Sequence, residues 1–273
     1  MSELRELELK LEVSPRQLAR LKAQGLEALG EPRSRQRLAA TYFDTPDHRL
    51  HRKGLTLRVR TADGRHVQTI KDAGEAPGIG LFSRSEWETE VAGPEPDLKA
   101  ASRTPLKKLL ADERGGGLSP VFTAEVERTV WLVETDSAAI EVVLDEGAVA
   151  ANGARSRLAE LELELKGGAP GELFALARRL GGAGALKLGI LTKSERGYRL
   201  VEGEARRFHK AEPVRLSRGM PVADAFATLV RACLRHFRLN EDGVTEARLP
   251  EALLQARVAM RRLRSALSLY REL

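Results

Sequence analysis

Two stretches of this 273-residue chain alternate acids with leucines: Glu6-Leu7-Glu8-Leu9-Lys10 and Glu160-Leu161-Glu162-Leu163-Glu164-Leu165-Lys166. Period-two alternation is a strand signal, and it sets every charge on one face and every leucine on the other. By the same parity Thr56, Arg58 and Arg60 share a face, as do Val67, Thr69 and Lys71, and Arg84, Glu86, Glu88 and Glu90. Pooled, these faces hold the acids Glu6, Glu8, Glu86, Glu88, Asp145, Glu160, Glu162 and Glu164, and the bases Lys10, Arg58, Arg60, Lys71, Arg84, Arg128 and Lys193. Carboxylates crowded into a partly dry cavity raise one another's pKa unless a cation intervenes. Oxygen ligands without His or Cys favour hard cations such as Mg2+ or Mn2+. The basic set is too large merely to pair with the acids at ideal geometry, and guanidinium forks and ammonium groups suit a phosphate-rich ligand. Metal on one wall and Arg and Lys on the other is what phosphoryl transfer to water requires. Salt-bridged sheet faces in solvent are the competing arrangement. Rows of like charge on neighbouring strand positions repel, which argues instead for a polar face lining an enclosed site, with the leucines outward under helices.

Strands are expected near 3–13, 36–44, 54–62, 65–72, 82–91, 119–131, 137–145 and 157–166, and eight strands suffice to close a barrel around one small ligand. Asp63-Gly64 between alternating arms is a hairpin signal. Ser14-Pro15 opens a helix of about 14 residues carrying Leu18, Leu21, Leu26 and Leu29 and ending near Gly30. Further helices are expected around 97–112 and 170–181, and a short segment, 191–198, closes the barrel. Gly78-Ile79-Gly80 lacks the helix start that a phosphate-cradling glycine loop needs. Residues 203–218 turn charged and irregular, as a linker does. Helices near 221–238 and 250–272 follow, the second with Leu253, Ala256, Met260, Leu263, Leu267 and Tyr270 as its apolar stripe and Arg257, Arg261 and Arg264 as a basic ridge. The fold class is α+β: an eight-stranded antiparallel β-barrel, a tunnel with polar interior and flanking helices, plus a short C-terminal helical segment.

Composition narrows the functional classes. The net charge of +6 permits a polyanionic partner, while an aromatic content of 4% leaves few stacking platforms for single-stranded nucleic acid, so no specific nucleic acid is expected. Cys233 is the only cysteine, which excludes a disulfide scaffold or a cysteine-based zinc site within one chain. The five histidines are scattered, with no pair at ligand spacing. The charged start, Glu3 to Glu8, reads as no secretory leader, and no stretch approaches the ~20 apolar residues of a membrane span. A cytoplasmic protein with no membrane partner is expected.

Six motifs carry a resemblance. Glu6-x-Glu8-x-Lys10, Tyr42-Phe43-Asp44-Thr45, Leu57-Arg58-Val59-Arg60, Thr69-Ile70-Lys71, the row 160–164 and Lys193-Ser194 resemble, in order, the CYTH domain of the triphosphate tunnel metalloenzymes. The resemblance implies a domain over 1–202, a linker over 203–218 and, over 219–273, a partial segment resembling the start of a CHAD domain. It implies that Lys10, Arg58, Arg60, Lys71, Arg128 and Lys193 grip phosphates, with Arg84 added from the parity reading. It implies that Glu6, Glu8, Asp145, Glu160 and Glu162, with Glu88 and Glu164, hold the metal, Mg2+ or Mn2+. A metal-organised water, rather than a side chain, would attack the terminal phosphorus. Inorganic triphosphate hydrolysis is the expected activity. A class IV-like adenylate cyclase, a thiamine triphosphatase and a non-catalytic polyphosphate-binding module are the alternatives. In the CHAD-like segment Leu254 stands where that family would have a histidine.

Overall fold

The alternating stretches pair into one closed sheet. The computed structural model describes residues 4–72, 79–110, 117–182, 186–203 and 208–271, with the side chains of residues 4–6 and 16 left aside. The strands are β1 (Leu4–Glu12), β2 (Ser34–Asp44), β3 (Leu55–Ala62), β4 (Arg65–Asp72), β5 (Leu81–Val91), β6 (Ser119–Glu134), β7 (Ala138–Ala151), β8 (Ala154–Gly168) and the two-residue β9 (Lys187–Leu188). Their order is β5-β4-β3-β2-β6-β7-β8-β1-β9, and a β5–β1 pairing closes the first eight into an antiparallel barrel. In that ring β3 lies across from β8 and β4 across from β7. The unexpected β9 pairs with Leu11 and Glu12 of β1, and two residues are too few to show periodicity.

Period two separates inside from outside. Leu9, Leu11, Leu161 and Leu163 point away from the charges into an outer core with Trp131, Leu21 and Leu26. Helix α4 (Gly171–Gly181) covers them with Leu173, Leu176 and Leu180. On the other flank Phe43, Leu57, Ile70 and Trp87 form a second outer core, under α2 (Arg49–Arg52) and α3 (Pro105–Leu110). Each fully buried leucine or isoleucine stabilises by about 1.5–3 kcal/mol, so the two coats hold the barrel closed. A third cluster has inward parity: Leu38, Tyr42, Phe122, Val126, Val149 and Leu158, joined by Tyr198 and Leu200 of α5 (Lys193–Val201). It makes an apolar floor beside the polar interior.

Helical expectations needed more revision than the strands. The first helix changes pitch, with α1 (Pro15–Arg20) running into a wide turn over Leu21–Leu26 and a tight one over Glu27–Leu29 before Gly30, φ 80°, ends it. The helix expected around 97–112 is present only as Pro105–Leu110, and residues 111–116 lie outside the described residues. Thr104 precedes Pro105, which disfavours a helical conformation there, and the Asp97 carboxylate caps the turn before it by accepting from the Lys99 and Ala100 amides. From Lys193 onward segment 191–198 runs into a helix, α5, whose start is a capping box: Glu195 N donates to Thr192 Oγ1, and Thr192 N donates to Glu195 Oε2.

The chain divides into two compact units, one within Met1–Gly203 and one comprising Glu204–Leu273, residues 75–79 apart. The second holds α6 (Val222–Thr245) and α7 (Pro250–Leu269). The apolar stripe expected on α7 is corrected in part: Ala256 is buried, Leu263 and Tyr270 are half-buried, but Leu253, Met260 and Leu267 are exposed, and the buried line is Ala252, Ala256, Ala259 and Ala266. Both rows have helical spacing, and small residues let two backbones approach closely. Within this unit His236 Nε2 lies 3.0 Å from the His209 carbonyl and 3.2 Å from Gln255 Oε1, and Asn240 Oδ1 accepts from the His209 amide. Arg257, Arg261 and Arg264 are exposed, as is Leu254. No helix among the described residues is long and apolar enough to cross a membrane.

Candidate active site

Register decides which charges meet. Lys10 on β1 sits opposite Glu162 on β8, Asp145 on β7 opposite Glu160, and Arg128 on β6 opposite Asp145. Helix α5 then delivers Lys193 from its first turn. Lys193 Nζ lies 2.8 Å from Glu160 Oε2, 2.9 Å from Asp145 Oδ2 and 3.0 Å from Glu162 Oε1. Lys10 Nζ lies 3.3 Å from Glu160 Oε2 and also donates to Glu162. Arg128 forks onto Asp145, with Nε 2.7 Å from Oδ1 and Nη2 2.6 Å from Oδ2, and reaches Glu162 Oε2 at 3.4 Å. Gly189 packs on the Lys10 stem, where an added Cβ would lie 2.7 Å from Cγ, so the turn after β9 fixes that lysine's path.

The facing wall, on β3, β4 and β5, is looser. Arg58 hydrogen-bonds Tyr42, while its buried Nε has no partner among the described residues. Arg60 Nη2 lies 3.5 Å from Glu88 Oε1, which also accepts from Thr69 Oγ1 at 2.9 Å. Lys71 pairs with Glu86 at 3.0 Å. Arg84 Nη2 crosses the β5–β1 seam to Glu8 Oε1 at 2.5 Å, and its guanidinium carbon lies 4.8 Å from the Phe82 ring centroid.

These contacts set the charge states. Burial alone would raise the Glu160 carboxyl, yet Lys10, Lys193 and Arg196 bring it down to about 2. Glu162 is likewise held well below the ordinary range against its burial, by Lys10, Lys193 and Arg128, and Asp145 is lowered by Lys193 and Arg128. Burial works against the Lys193 ammonium, but Asp145, Glu160 and Glu162 keep its pKa well above the usual lysine value. Arg60 moves the other way: burial, with Arg58 beside it, lowers it to about 10, so it stays charged at neutral pH.

Most of the expected residues therefore converge, with differences. Among the described residues every cation of the pooled set except Arg58 makes an ion pair within 4 Å, and Arg58 has Glu86 and Glu88 nearby, contrary to the expectation that the bases outnumber what the acids can pair. Glu164 pairs with Lys166 at 2.7 Å and Glu88 with Arg60 and Thr69, so neither is grouped with Asp145, Glu160 and Glu162. The Glu6 side chain lies outside the described residues. Sequence reasoning missed Arg196, which joins Glu160 (3.3 Å) to Glu12 (2.7 Å). Its signal was spacing: three residues after Lys193, one helical turn on. Tyr42 was also missed as the partner of Arg58, although the two are cross-strand neighbours.

As donors, Glu8, Asp145, Glu160 and Glu162 suit a hard divalent cation. All are carboxylates, and the three in the knot are held ionised, so a metal would displace no proton from them. Among the described residues no group of three or more His, Cys, Asp or Glu is arranged to hold one, because lysine and arginine occupy the space between the carboxylates.

The closed antiparallel barrel thus sets Arg58, Arg60 and Lys71 across its interior from an ionised carboxylate knot. Residues 4–198 match the CYTH domain and residues 228–273 the CHAD domain, and the chain belongs to the CYTH family. An inorganic triphosphatase of Haemophilus influenzae is 32% identical over 199 residues, covering 72% of this chain and 55% of that protein. The chain thus spans about half the length of that relative. Among solved structures, a candidate adenylyl cyclase from Hippeastrum with a dominant triphosphatase activity superposes with a TM-score of 0.54 at 19% identity, covering 71% of this chain and 96% of that one. At that identity the likeness is one of fold.

Proposed function

We propose that the barrel hydrolyses inorganic triphosphate to pyrophosphate and phosphate with a divalent metal, Mg2+ or Mn2+. The observation that carries the reading is the facing of two unlike walls. Arg58, Arg60, Lys71 and Arg84 line one, and Asp145, Glu160 and Glu162 cluster on the other. A linear triphosphate bears several negative charges and no large apolar part, which matches an interior whose walls are charged and whose Tyr42, Phe122 and Tyr198 lie in the floor. The sequence relationship to the Haemophilus influenzae inorganic triphosphatase supports the same substrate. Longer linear polyphosphates share this chemistry at their ends.

In this mechanism Arg58, Arg60 and Lys71 bind the non-bridging oxygens, using forks and point charges that need no reorganisation during reaction. Glu160, Glu162 and Asp145, with Glu8, would hold the metal, which supplies charge neutralisation and a polarised water when bound. Lys10, Lys193 and Arg128 then exchange carboxylate contacts for phosphate oxygens. As water adds to the terminal phosphorus and the bridging P–O bond breaks, these cations stabilise the charge gathering on the leaving pyrophosphate. A reducing, cytoplasmic setting fits a chain with one cysteine, Cys233.

The test is product analysis with inorganic triphosphate, ATP, pyrophosphate and thiamine triphosphate, with and without metal. Metal-dependent release of one phosphate and one pyrophosphate per inorganic triphosphate is expected. Cyclic AMP from ATP, selective formation of thiamine diphosphate, or binding without turnover would each replace this reading.

A further inference from the structure

Asp44 ends β2 fully buried and outside the charged knot. Its Oδ1 accepts from the amides of Thr45 (2.7 Å) and Leu50 (2.8 Å), and its Oδ2 from the His51 amide (3.0 Å). These bonds anchor the carboxylate to the start of the turn after β2 and to α2 itself. One further donor comes from a remote part of the chain: Tyr198 Oη, on α5, lies 2.5 Å from Oδ2. The Tyr198 ring stacks on His51, with centroids 3.8 Å apart, and meets Phe122 edge-on at 5.2 Å. Phe122 in turn stacks on Tyr42, the partner of Arg58, at 4.5 Å. Gly197 seats the helix directly on that floor, since an added Cβ would lie 2.2 Å from the Phe122 ring.

Helix α5 carries Lys193 and Arg196 into the knot. Its capping box joins Thr192 to Glu195 within its own first turn and so gives no hold on the barrel. Its polar ties to the sheet include the Lys193 and Arg196 ion pairs, which belong to the site itself, a 3.5 Å bond from Asn152 Nδ2 to the Val201 carbonyl at the far end of the helix, and the buried Tyr198–Asp44 bond, which lies outside the site. When a substrate draws Lys193 away from its carboxylates, the buried Tyr198–Asp44 bond still holds the middle of the helix in register. We propose that Tyr198 is a positioning residue: its hydroxyl, donated to Asp44, fixes α5 on the barrel and so places the Lys193 ammonium. The inference rests on the reading of Lys193 as a phosphate-facing cation of the proposed triphosphatase.

Tyr198→Phe in the full chain keeps the ring contacts and deletes the one bond. Two quantities are measured: kcat/KM for inorganic triphosphate, in the wild-type and Lys193→Ala backgrounds, and amide hydrogen exchange over residues 193–201. A misplaced group costs up to about a hundredfold per ångström, so a loss of about tenfold is expected in the wild-type background. In the Lys193→Ala background the same change should cost less than about twofold, because the ammonium that Tyr198 places is gone. Exchange over 193–201 should quicken while the barrel strands keep their rates. Equal losses in both backgrounds, or no loss in the wild type, would overturn the proposal, since a merely structural role is additive. If the wild type turns over no triphosphate, the functional reading fails on its own, and exchange decides: unchanged rates over 193–201 overturn the positioning role, and faster rates uphold it. Should Tyr198→Phe fold poorly, Asp44→Asn, which keeps Oδ1 for the Thr45 and Leu50 amides and replaces the Oδ2 that accepts from Tyr198 and the His51 amide, enters the same cycle with the same expected pattern.

Discussion

The two walls of the barrel interior use the same residue types to different ends. On β6, β7, β8, β1 and α5, Lys10, Arg128 and Lys193 each touch two or three carboxylates, and Asp145 and Glu160 are fully buried. On β3 and β4, Arg60 lies 3.5 Å from Glu88, which is 42% exposed, Lys71 lies 3.0 Å from Glu86, and Arg58 hydrogen-bonds Tyr42 with Glu86 and Glu88 in its field. Removing one partner of a buried ion pair strands the other at a cost of about 3–5 kcal/mol, whereas a loosely paired charge can accept a new anion with little lost. The tight wall therefore suits an exchange of one cation for another, and the loose wall suits the landing of an anion.

Breaking the tight wall should have the largest effect. Glu162→Gln is expected to lower metal-dependent turnover by about a hundredfold or more, since several kcal/mol of transition-state stabilisation pass through the metal. The check is a metal titration of phosphate release, and wild-type rates at limiting metal would remove Glu162 from the site. On the loose wall, Arg58→Ala or Arg60→Ala each removes a charge-assisted contact of about 1.5–3 kcal/mol, a loss of roughly ten- to a hundredfold in kcat/KM. Lysine at either position should restore only part of it, because the fork is lost. Steady-state kinetics of the alanine and lysine variants test both statements.

Acid should separate the walls thermodynamically. The Glu160 carboxyl is lowered from 4.5 to about 2 in the fold, so its contribution to stability is fully present above pH 4.5 and is lost as pH falls through that value towards 2. A shift of that size corresponds to ~3 kcal/mol. Melting temperatures between pH 6 and 2 should fall less steeply in Glu160→Gln than in the wild type, and parallel curves would show that the knot does not report on this carboxyl. The smallest effect is expected from ending the chain after Gly203, which leaves the whole barrel and both walls. Turnover should stay within about twofold, since every residue of both walls belongs to the first unit, and loss of catalysis with the barrel's circular dichroism intact would show that the second unit completes the site.

What could be read in the sequence follows from periodicity. The glutamate rows, the Asp63-Gly64 hairpin and the Arg58–Arg60 face were legible because strand parity alone sorts side chains between two faces. Pairing was not, because the contact of Lys10 with Glu160 and Glu162 depends on the β1–β8 register, and long-range register is written in no local pattern. Arg196 and Tyr198 escaped notice because they enter from a helix whose first turn lies against the barrel, where strand parity has nothing to say. In α7 two rows compete at the same spacing, and only packing selects the alanines over Leu253, Met260 and Leu267.

The division of labour is tested most directly by calorimetric titration of inorganic triphosphate into the metal-free wild type, Arg58→Ala and Glu162→Gln. If the loose wall lands the anion, Arg58→Ala weakens binding about tenfold or more, while Glu162→Gln, which removes a negative charge near the phosphates, binds as tightly as the wild type or tighter. Weakening by Glu162→Gln equal to that by Arg58→Ala would contradict the assignment of anion binding to one wall and metal binding to the other.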